Sequence, residues 1–298
     1  MRNRINNWIY QSFLILIFSL FTFLCLYPFY YLLINSLSDP VASAKGIVIF
    51  IPKGFTFNNY IEIFKLNGIA GATAVSVLRT VIGTILTVFM CSMFAYYLTK
   101  RQLKSTKVLY RATIITMYVN AGIIPWFITM KTLGLNNSFL LYILPTTISP
   151  FMVVLIKTYI ESISISLEEA ARIDGAGYFT IFIRIVIPVC MPVLMAVIVF
   201  SAVGQWNAWQ DNFFLVDNPK LQTLQMMLMN YLKEAETVST AVMNEQNVAM
   251  NVQGAKRVMT PFTVKTTITM VVTIPIILVY PFLQRYFVSG IMIGAVKG

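Results

Sequence analysis

Long apolar runs separated by short polar segments dominate this sequence. The runs lie at about 5–38, 74–99, 108–128, 139–159, 188–206 and 266–284. Each is long enough to cross a bilayer, which takes about 20 residues of helix. The first run contains no charged residue and is longer than the apolar core of a signal peptide. The pattern therefore predicts an all-α membrane protein with six transmembrane helices, of which the N-terminal helix covers about 5–38.

The placement of basic residues predicts which side of the membrane each polar segment faces. Two arginines precede the first run, and four positive charges with no negative one fall within 100–107. Because Lys and Arg are enriched in cytoplasmic loops, both segments belong inside. Six crossings then leave both termini in the cytoplasm, with a long external loop at about 207–265 and a cytoplasmic tail at 285–298. We expect a multi-pass protein of the cell membrane, with one transmembrane domain over 1–298 and its core at about 74–288.

Composition agrees with a membrane protein and excludes several other classes. The chain is 58% hydrophobic and 11% charged, whereas soluble domains carry about a quarter charged residues. The net charge of +11 comes from basic residues scattered at segment ends, which indicates contact with membrane lipid and no nucleic acid. The chain has no His, its three Cys lack metal-ligand spacing, and it lacks the P-loop pattern G-x4-G-K-[ST]. We therefore expect no metal site and no cofactor bound by this chain.

A polar island at 167–192 interrupts the apolar pattern. Glu168 and Glu169 occupy the first turn of a predicted helix, where negative charge complements the helix dipole. Gly175 and Gly177 are typical of a helix stop, and an amphipathic piece at 178–187 follows up to a proline. The pattern predicts a short helix-turn-helix at a membrane face.

The same island carries a family motif: Glu-Ala-Ala at 169–171, three residues, Gly175, nine residues, Ile185, one residue, then Ile187 and Pro188. It resembles the EAA loop of ABC importer permeases, E-A-A-x3-G-x9-I-x-L-P, with Ile187 in place of Leu. In that family the loop is a cytoplasmic coupling helix that docks on an ATPase subunit. The resemblance implies an ATPase-coupling role for Glu169, Ala170, Ala171, Asp174 and Gly175. The alternative is an ordinary helical loop between two spans.

The C-terminal stretch 284–298 is the second segment with family character. Its ending, GIMIGAVKG, resembles the tail of maltose-type sugar permeases, G-[IL]-x-x-G-A-V-K-G, which lies against the ATPase pair. The resemblance implies ATPase contacts by Gly290, Gly294 and Lys297, and it indicates the carbohydrate branch of the family. The glycines, with Gly298, favour an extended tail over a helix. A disordered terminus is the alternative.

The stretch QWNAWQDNFFL at 205–215 is the candidate substrate pathway. Trp206 and Trp209 are three residues apart and would share a helix face, with Asn207 and Gln210 on the adjoining face. Aromatic rings stack on sugar rings and amides bind hydroxyls. Trp is also common at the membrane interface of any membrane protein, which is the competing explanation. Asn120 is a further candidate at the same level. Asp211, in contrast, is expected to be an exposed, solvated charge.

The resemblance implies the type I ABC importer permease fold and a permease subunit that transports a sugar or oligosaccharide. It also implies the partners: a second homologous permease, two ABC ATPase subunits that hold ATP and Mg, and an extracellular solute-binding protein. The chain itself would be non-catalytic, with no catalytic residues. One alternative is an ABC permease for a non-carbohydrate solute. A membrane-embedded transferase is the weaker one, because it needs a carboxylate cluster and the remaining acidic residues are scattered.

Overall fold

The computed structural model describes residues 2–65, 68–100, 103–119, 121–233 and 260–295. Within these ranges all regular structure is helical, as predicted. The helices are α1 (Arg2–Ser36), α2 (Pro40–Ala44), α3 (Asn58–Lys65), α4 (Ile69–Leu98), α5 (Lys104–Tyr118), α6 (Ile123–Thr132), α7 (Pro150–Glu161), α8 (Ser166–Ile173), α9 (Tyr178–Ile181), α10 (Ile187–Val189), α11 (Met191–Asn207), α12 (Gln210–Leu215), α13 (224–233) and α14 (Pro261–Ala295). Short 3₁₀ turns cover Phe139–Tyr142, Leu144–Thr146 and Pro219–Leu221, and Phe182–Val186 is a π-helix.

The chain forms two compact units, and the first contains Met1–Ile69 with Leu228–Ile274. In this unit the segment after α1 is fixed by polar side chains, the buried Asn59 and the exposed Asp39. The amide of Asn59 donates to the carbonyl oxygens of Ser36 at 2.9 Å and Ser38 at 2.8 Å. Asp39 caps α2 by accepting from the N–H groups of Val41 and Ala42, each at 3.1 Å. These bonds satisfy the carbonyl groups left open where α1 ends and the N–H groups left open where α2 begins.

Three of the described helices are long and apolar enough to cross a membrane: Tyr10–Ser36, Ile69–Leu98 and Pro261–Val279. Two bent pairs raise the number to five if each pair is one span: Phe139–Thr146 with Pro150–Glu161, bent by 45°, and Tyr178–Val189 with Met191–Asn207, bent by 83°. These five match the first, second, fourth, fifth and last of the apolar runs.

The third apolar run, predicted at 108–128, is divided into α5 and α6. Gly122 at the break has φ +79, a backbone conformation that other residues rarely adopt. Pro125 lies in the first turn of α6, where its missing N–H would have no helical partner in any case. These two residues therefore divide the third apolar run into two helices.

The second unit, Ala70–Met227 with Pro275–Gly298, packs around α4. Its core includes Cys91 and Ala95 of α4, Val153 of α7, Phe182 of the π-helix and Val197 of α11. Because lipid is as apolar as a side chain, membrane helices associate through close packing, and small residues permit that close approach. Cys91 and Ala95 lie one turn apart, so α4 presents a small-residue stripe to its neighbours.

Helix α4 also satisfies the polar backbone that is freed where the fourth apolar run bends. The hydroxyl of Thr87 donates to the carbonyl of Thr146 at 3.1 Å, and the N–H of Ser149 lies 3.4 Å from Cys91 Sγ. Pro150 then occupies the first position of α7, where its missing N–H has no consequence. Non-helical backbone at membrane depth is tolerated only where neighbours supply such partners.

The C-terminal tail is helical up to Ala295, so the prediction of an extended tail is wrong. Helix α14 continues through Gly290 and Gly294. Each glycine costs a helix roughly 1 kcal/mol relative to alanine. The residues between them, 291–293, are Ile, Met and Ile, which a long helix accommodates. No proline follows Pro281 to stop the helix. Residues 296–298, with Lys297, lie outside the described part of the chain.

Candidate functional site

Helix α8 is the predicted helix of the polar island, and its glycine stop is present. Glu168 and Glu169 lie in its first turn. The N–H of Gly175 donates to the carbonyl of Arg172 at 3.0 Å, and the helix ends just before Gly175, whose φ of +82 turns the following chain away from the helix axis. The N–H of Ala176 then donates to the carbonyl of Ala171 at 2.9 Å. These bonds fix the direction in which the chain leaves α8.

One side of α8 faces the protein and the other is open. Ala171 packs against the core cluster of the second unit, as does Ala176 just after the turn. Glu169, Ala170 and Asp174 are exposed. Ile173, also on α8, is an apolar side chain that is 87% exposed. The open side therefore presents acidic groups and one apolar side chain to the surroundings of the chain.

The piece after α8 is less regular than predicted. The sequence predicts one amphipathic stretch over 178–187 leading straight into a span at 188–206. In the structure α9 passes into the π-helix, then α10, and the chain bends by 83° between Val189 and Met191 before α11 begins. Pro188, inside the short α10, and Pro192, at the start of α11, lack the N–H groups that would continue the ladder across this point. The bend separates the α8 region from the long axis of α11.

Lys100, at the end of α4, anchors α8 to the core. Its Nζ lies 2.6 Å from both carboxylate oxygens of Glu168, and Arg172 donates to Glu168 at 2.7 Å. Nζ also lies 3.7 Å from the centroid of the Tyr96 ring. Burial lowers the pKa of Lys100, and the hydrogen bond that Lys100 donates to Glu168 opposes that shift. Sequence reasoning missed this contact because it used Lys100 only as an indicator of topology and 68 positions separate it from its partner.

The predicted substrate residues Asn207, Trp209 and Gln210 come together on a cleft of about 640 Å³ in the second unit. Trp126 and Thr146 line the same cleft. Asn207 and Gln210 are exposed, and Trp209 is half-buried. This cluster of amides and aromatic rings could hydrogen-bond hydroxyl groups and stack against an apolar ring face.

Trp206 is not part of that cleft. Its side chain is 9% exposed and packs in the interior. The prediction that Trp206 and Trp209 share a helix face is wrong. Helix α11 ends at Asn207, and Ala208 is extended, with φ −71 and ψ 128. The carbonyl of Ala208 accepts a hydrogen bond from Arg79 at 3.2 Å, so the helix ladder is replaced by a side-chain donor at this point. Asn120, the other candidate, lies outside the described residues.

Arg79 holds the cleft wall together and was missed in the sequence. Its Nε donates to Gln205 Oε1 at 3.0 Å, and its two terminal nitrogens form a bidentate ion pair with Asp211. The guanidinium also lies over the Tyr142 ring, 4.6 Å from the centroid. The signal was available: a lone arginine inside a membrane helix is expensive and therefore usually has a partner and a function.

Asp211 is correspondingly not a solvated charge, and that prediction is wrong. Its side chain is 12% exposed and that of Arg79 is 1% exposed. The two residues are 132 positions apart, so no local pattern could pair them. The ion pair joins α4 to the segment that carries Asn207, Trp209 and Gln210, and this fixes the geometry of the cleft.

Replacing Gly83 by alanine is expected to destabilise this wall. An added Cβ would lie 2.7 Å from Gln205 Nε2, so the Gln205 side chain must move. That movement breaks its hydrogen bonds to Arg79 and to Thr146, the latter at 2.6 Å. The expected loss is about 1–3 kcal/mol of stability, measured by thermal unfolding of the purified protein. Gly71→Ala is the matched control, since nothing lies within 4 Å of its added Cβ in the same helix. Equal unfolding temperatures for the two variants would contradict the prediction.

Comparisons with known proteins identify the family to which this chain belongs. Residues 89–293 match the family described as binding-protein-dependent transport system inner membrane component. The polygalacturonan/rhamnogalacturonan transport system permease protein YtcP of Bacillus subtilis is 33% identical over 100% of both chains. The arabinooligosaccharides transport system permease protein AraQ of the same organism is 27% identical over 97% of each.

A solved structure agrees with the sequence relatives. The structure of a bacterial ABC transporter involved in the import of the acidic polysaccharide alginate matches with a TM-score of 0.82 and 27% identity, over 95% of this chain and 98% of that one. The resemblance identified from the EAA-like motif is therefore confirmed, and with it the non-catalytic character of the subunit. The chain belongs to the family of binding-protein-dependent transport system inner membrane components, the permease subunits of ABC transporters.

Proposed function

We propose that this chain is a permease subunit of an ATP-driven importer and that, with a second homologous permease, it forms the path for a sugar or oligosaccharide. The cargo is delivered by an extracellular solute-binding protein, and two partner ATPases hydrolyse ATP. The proposal is supported by relatives whose names specify polygalacturonan/rhamnogalacturonan and arabinooligosaccharides, and by the likeness to an alginate importer. The amide and aromatic groups of the cleft suit the hydroxyls and ring faces of such cargo.

The observation that carries this proposal is that α4 contacts α8 at one end and the cleft at the other. Lys100 pairs with Glu168 beyond the C-terminal end of α4, and Arg79 pairs with Asp211 nearer its start. The 21 positions between Arg79 and Lys100 correspond to about 30 Å along a helix, the thickness of a bilayer core. A movement of α8 is thereby transmitted by a rigid element to the cleft on the other side of the membrane.

Coupling to the ATPases is assigned to the open side of α8. Glu169, Ala170 and Asp174 lie exposed there, and Gly175 sets the exit of the chain. In this mechanism ATP binding closes the ATPase pair, α8 moves with it, and the cavity between the two permeases switches from inward-facing to outward-facing. The end of α14 around Gly290 and Gly294, together with Lys297, is proposed as a second ATPase contact.

Six spans are proposed, with both termini in the cytoplasm. The five candidate spans leave α5 and α6 as a broken sixth. The basic residues of 100–107 and those before α1 then lie on the cytoplasmic side, with α8. In the same arrangement the cleft segment 207–212 lies toward the outside, where a solute-binding protein delivers cargo.

Changing Ile173 to aspartate is expected to weaken binding of the ATPase subunits by about threefold to tenfold, because an interface loses an apolar contact and gains a desolvated charge. The fold tolerates the change, since this side chain is 87% exposed. Recovery of the ATPases with the tagged chain measures the effect. Leu133→Asp is the control, an apolar residue that is 65% exposed after α6 and that should leave recovery unchanged. Equal recovery from both variants would reject α8 as the docking element.

The function as a whole is tested by purifying the tagged chain from its native membrane and identifying its partners. An ATPase and a second permease should accompany it, and the complex with its solute-binding protein should hydrolyse ATP faster when an oligosaccharide cargo is present. Stimulation by amino acids or metal ions alone would reject the sugar cargo and favour a non-carbohydrate permease. Recovery of the chain without an ATPase would reject the importer.

A further inference from the structure

The two charged side chains that line the described part of the cleft form an ion pair with each other. Among the described lining residues, the charged side chains are Arg79 and Asp211. The Arg79 side chain is 1% exposed and the Asp211 side chain is 12% exposed. The carboxylate is therefore the more accessible of the two charges, and its compensating cation is paired directly to it.

The other contacts of Arg79 hold its guanidinium beside Asp211. Gln205 and the Ala208 carbonyl accept from it, and the Tyr142 ring covers one face of the guanidinium. Asp211 receives the N–H of Asn212 at 2.8 Å in addition to the guanidinium. The other polar side chains on the described cleft wall are uncharged: the amides of Asn207 and Gln210, the Thr146 hydroxyl and the indole N–H groups of Trp126 and Trp209. The wall thus offers hydrogen bonds without net charge.

We propose that Asp211 is the specificity-determining residue for cargo charge, with Arg79 as the cation that it masks. With both charges present the ion pair gives the cleft wall no net charge. Removal of the Asp211 charge alone would expose an uncompensated cation and make the cleft attract carboxylates. The inference deepens the proposed sugar pathway and rests on it for its physiological meaning, but the electrostatic claim stands on the ion pair itself.

The sign of the charge in the cleft can be measured with thiol reagents of opposite charge. Asn207→Cys places a thiol on the exposed cleft wall, and Cys25→Ser removes the exposed native thiol, since Cys91 and Cys190 are buried. The thiolate attacks a methanethiosulfonate, forms a mixed disulfide and releases methanesulfinate. The measured quantity is the rate with a trimethylammonium reagent divided by the rate with a sulfonate reagent, in the intact complex in lipid nanodiscs.

With the ion pair intact, this ratio should equal, within about twofold, the ratio at a thiol placed by Asn136→Cys in the exposed turn after α6. Asp211→Asn should lower the ratio at position 207 by about fivefold to tenfold, because a nearby cation attracts the anionic reagent and repels the cationic one. The ratio at position 136 should not change. An unchanged ratio at position 207 in a folded Asp211→Asn variant would overturn the proposal.

The neutral double variant, Arg79→Gln with Asp211→Asn, keeps the test decisive if the single variant fails to fold. It should restore the ratio found with the ion pair intact, since both charges are removed together. A ratio shifted by more than about threefold in the double variant would overturn the proposal, because the intact pair would then not have been neutral. These ratios do not depend on cargo, so a failure of the proposed sugar import would leave them unchanged and is recognised separately by the cargo-stimulated ATPase assay.

Discussion

Replacing Gly175 by valine is expected to lower cargo-stimulated ATP hydrolysis by the assembled importer strongly. Gly175 adopts φ +82, where a β-branched residue is strained by on the order of 1–2 kcal/mol. The strain is relieved only if the turn after α8 changes shape. That turn is closed by the hydrogen bond from the Ala176 N–H to the Ala171 carbonyl, and both alanines pack against the core. Since about 1.4 kcal/mol corresponds to a factor of ten, the stimulated rate should fall at least about tenfold.

The matched control is Gly177→Val, two residues later. Gly177 has φ −73 and ψ 160, an extended conformation open to any residue, and nothing lies within 4 Å of an added Cβ at either glycine. The two variants therefore add the same side chain to open space and differ in backbone strain. The Gly177 variant should keep its stimulated rate within about twofold. Equal losses would show that side-chain bulk, and not the left-handed turn, matters here.

The sequence predicted the features that local patterns encode. The apolar runs, the short helix that begins near Glu168 and its glycine stop depend on residues close together in the chain. The structure contains the helix and its stop, and five of the six runs match candidate spans. The extended tail was wrong because glycine was weighed without the helix that precedes it: α14 was already formed before it reached Gly290. Sequence periodicity alone does not decide whether a preceding helix continues through glycine residues.

The parts of the site that were missed depend on contacts between distant positions. Lys100 meets Glu168 over 68 positions, and Arg79 meets Asp211 over 132. Asp211 looked solvated because its immediate neighbours are polar and a helix end was expected beside it. Arg79 could have been found, since an arginine inside an apolar run requires a partner. The sequence did not reveal which of the 11 acidic residues supplies that partner.

Substitution of Arg79 by methionine is expected to cause the largest loss of stability. The change leaves the Asp211 carboxylate, the Gln205 side-chain oxygen and the Ala208 carbonyl without their common donor. Breaking a buried ion pair by removing one partner costs about 3–5 kcal/mol, which corresponds to a fall in unfolding temperature on the order of 10 °C. Thermal unfolding of the purified chain in detergent measures it. Arg184→Met removes an exposed arginine and should change stability by less than about 0.5 kcal/mol.

A double variant of the Arg79–Asp211 ion pair separates two contributions of Arg79 to stability, its charge and its hydrogen-bond donors. If the loss arises mainly from the uncompensated carboxylate, Arg79→Met combined with Asp211→Asn should recover about half or more of it, because neighbouring residues in one network are not additive. If it arises mainly from the carbonyl and amide oxygens left without a donor, the double variant should be no more stable than the single one. Burial of the Asp211 side chain, which is 12% exposed, favours the first result, since the penalty for an unpaired charge exceeds that for an unpaired neutral group. A melting temperature for Arg79→Met equal to that of Arg184→Met would contradict both, and would mean that α4 holds the cleft segment without this arginine.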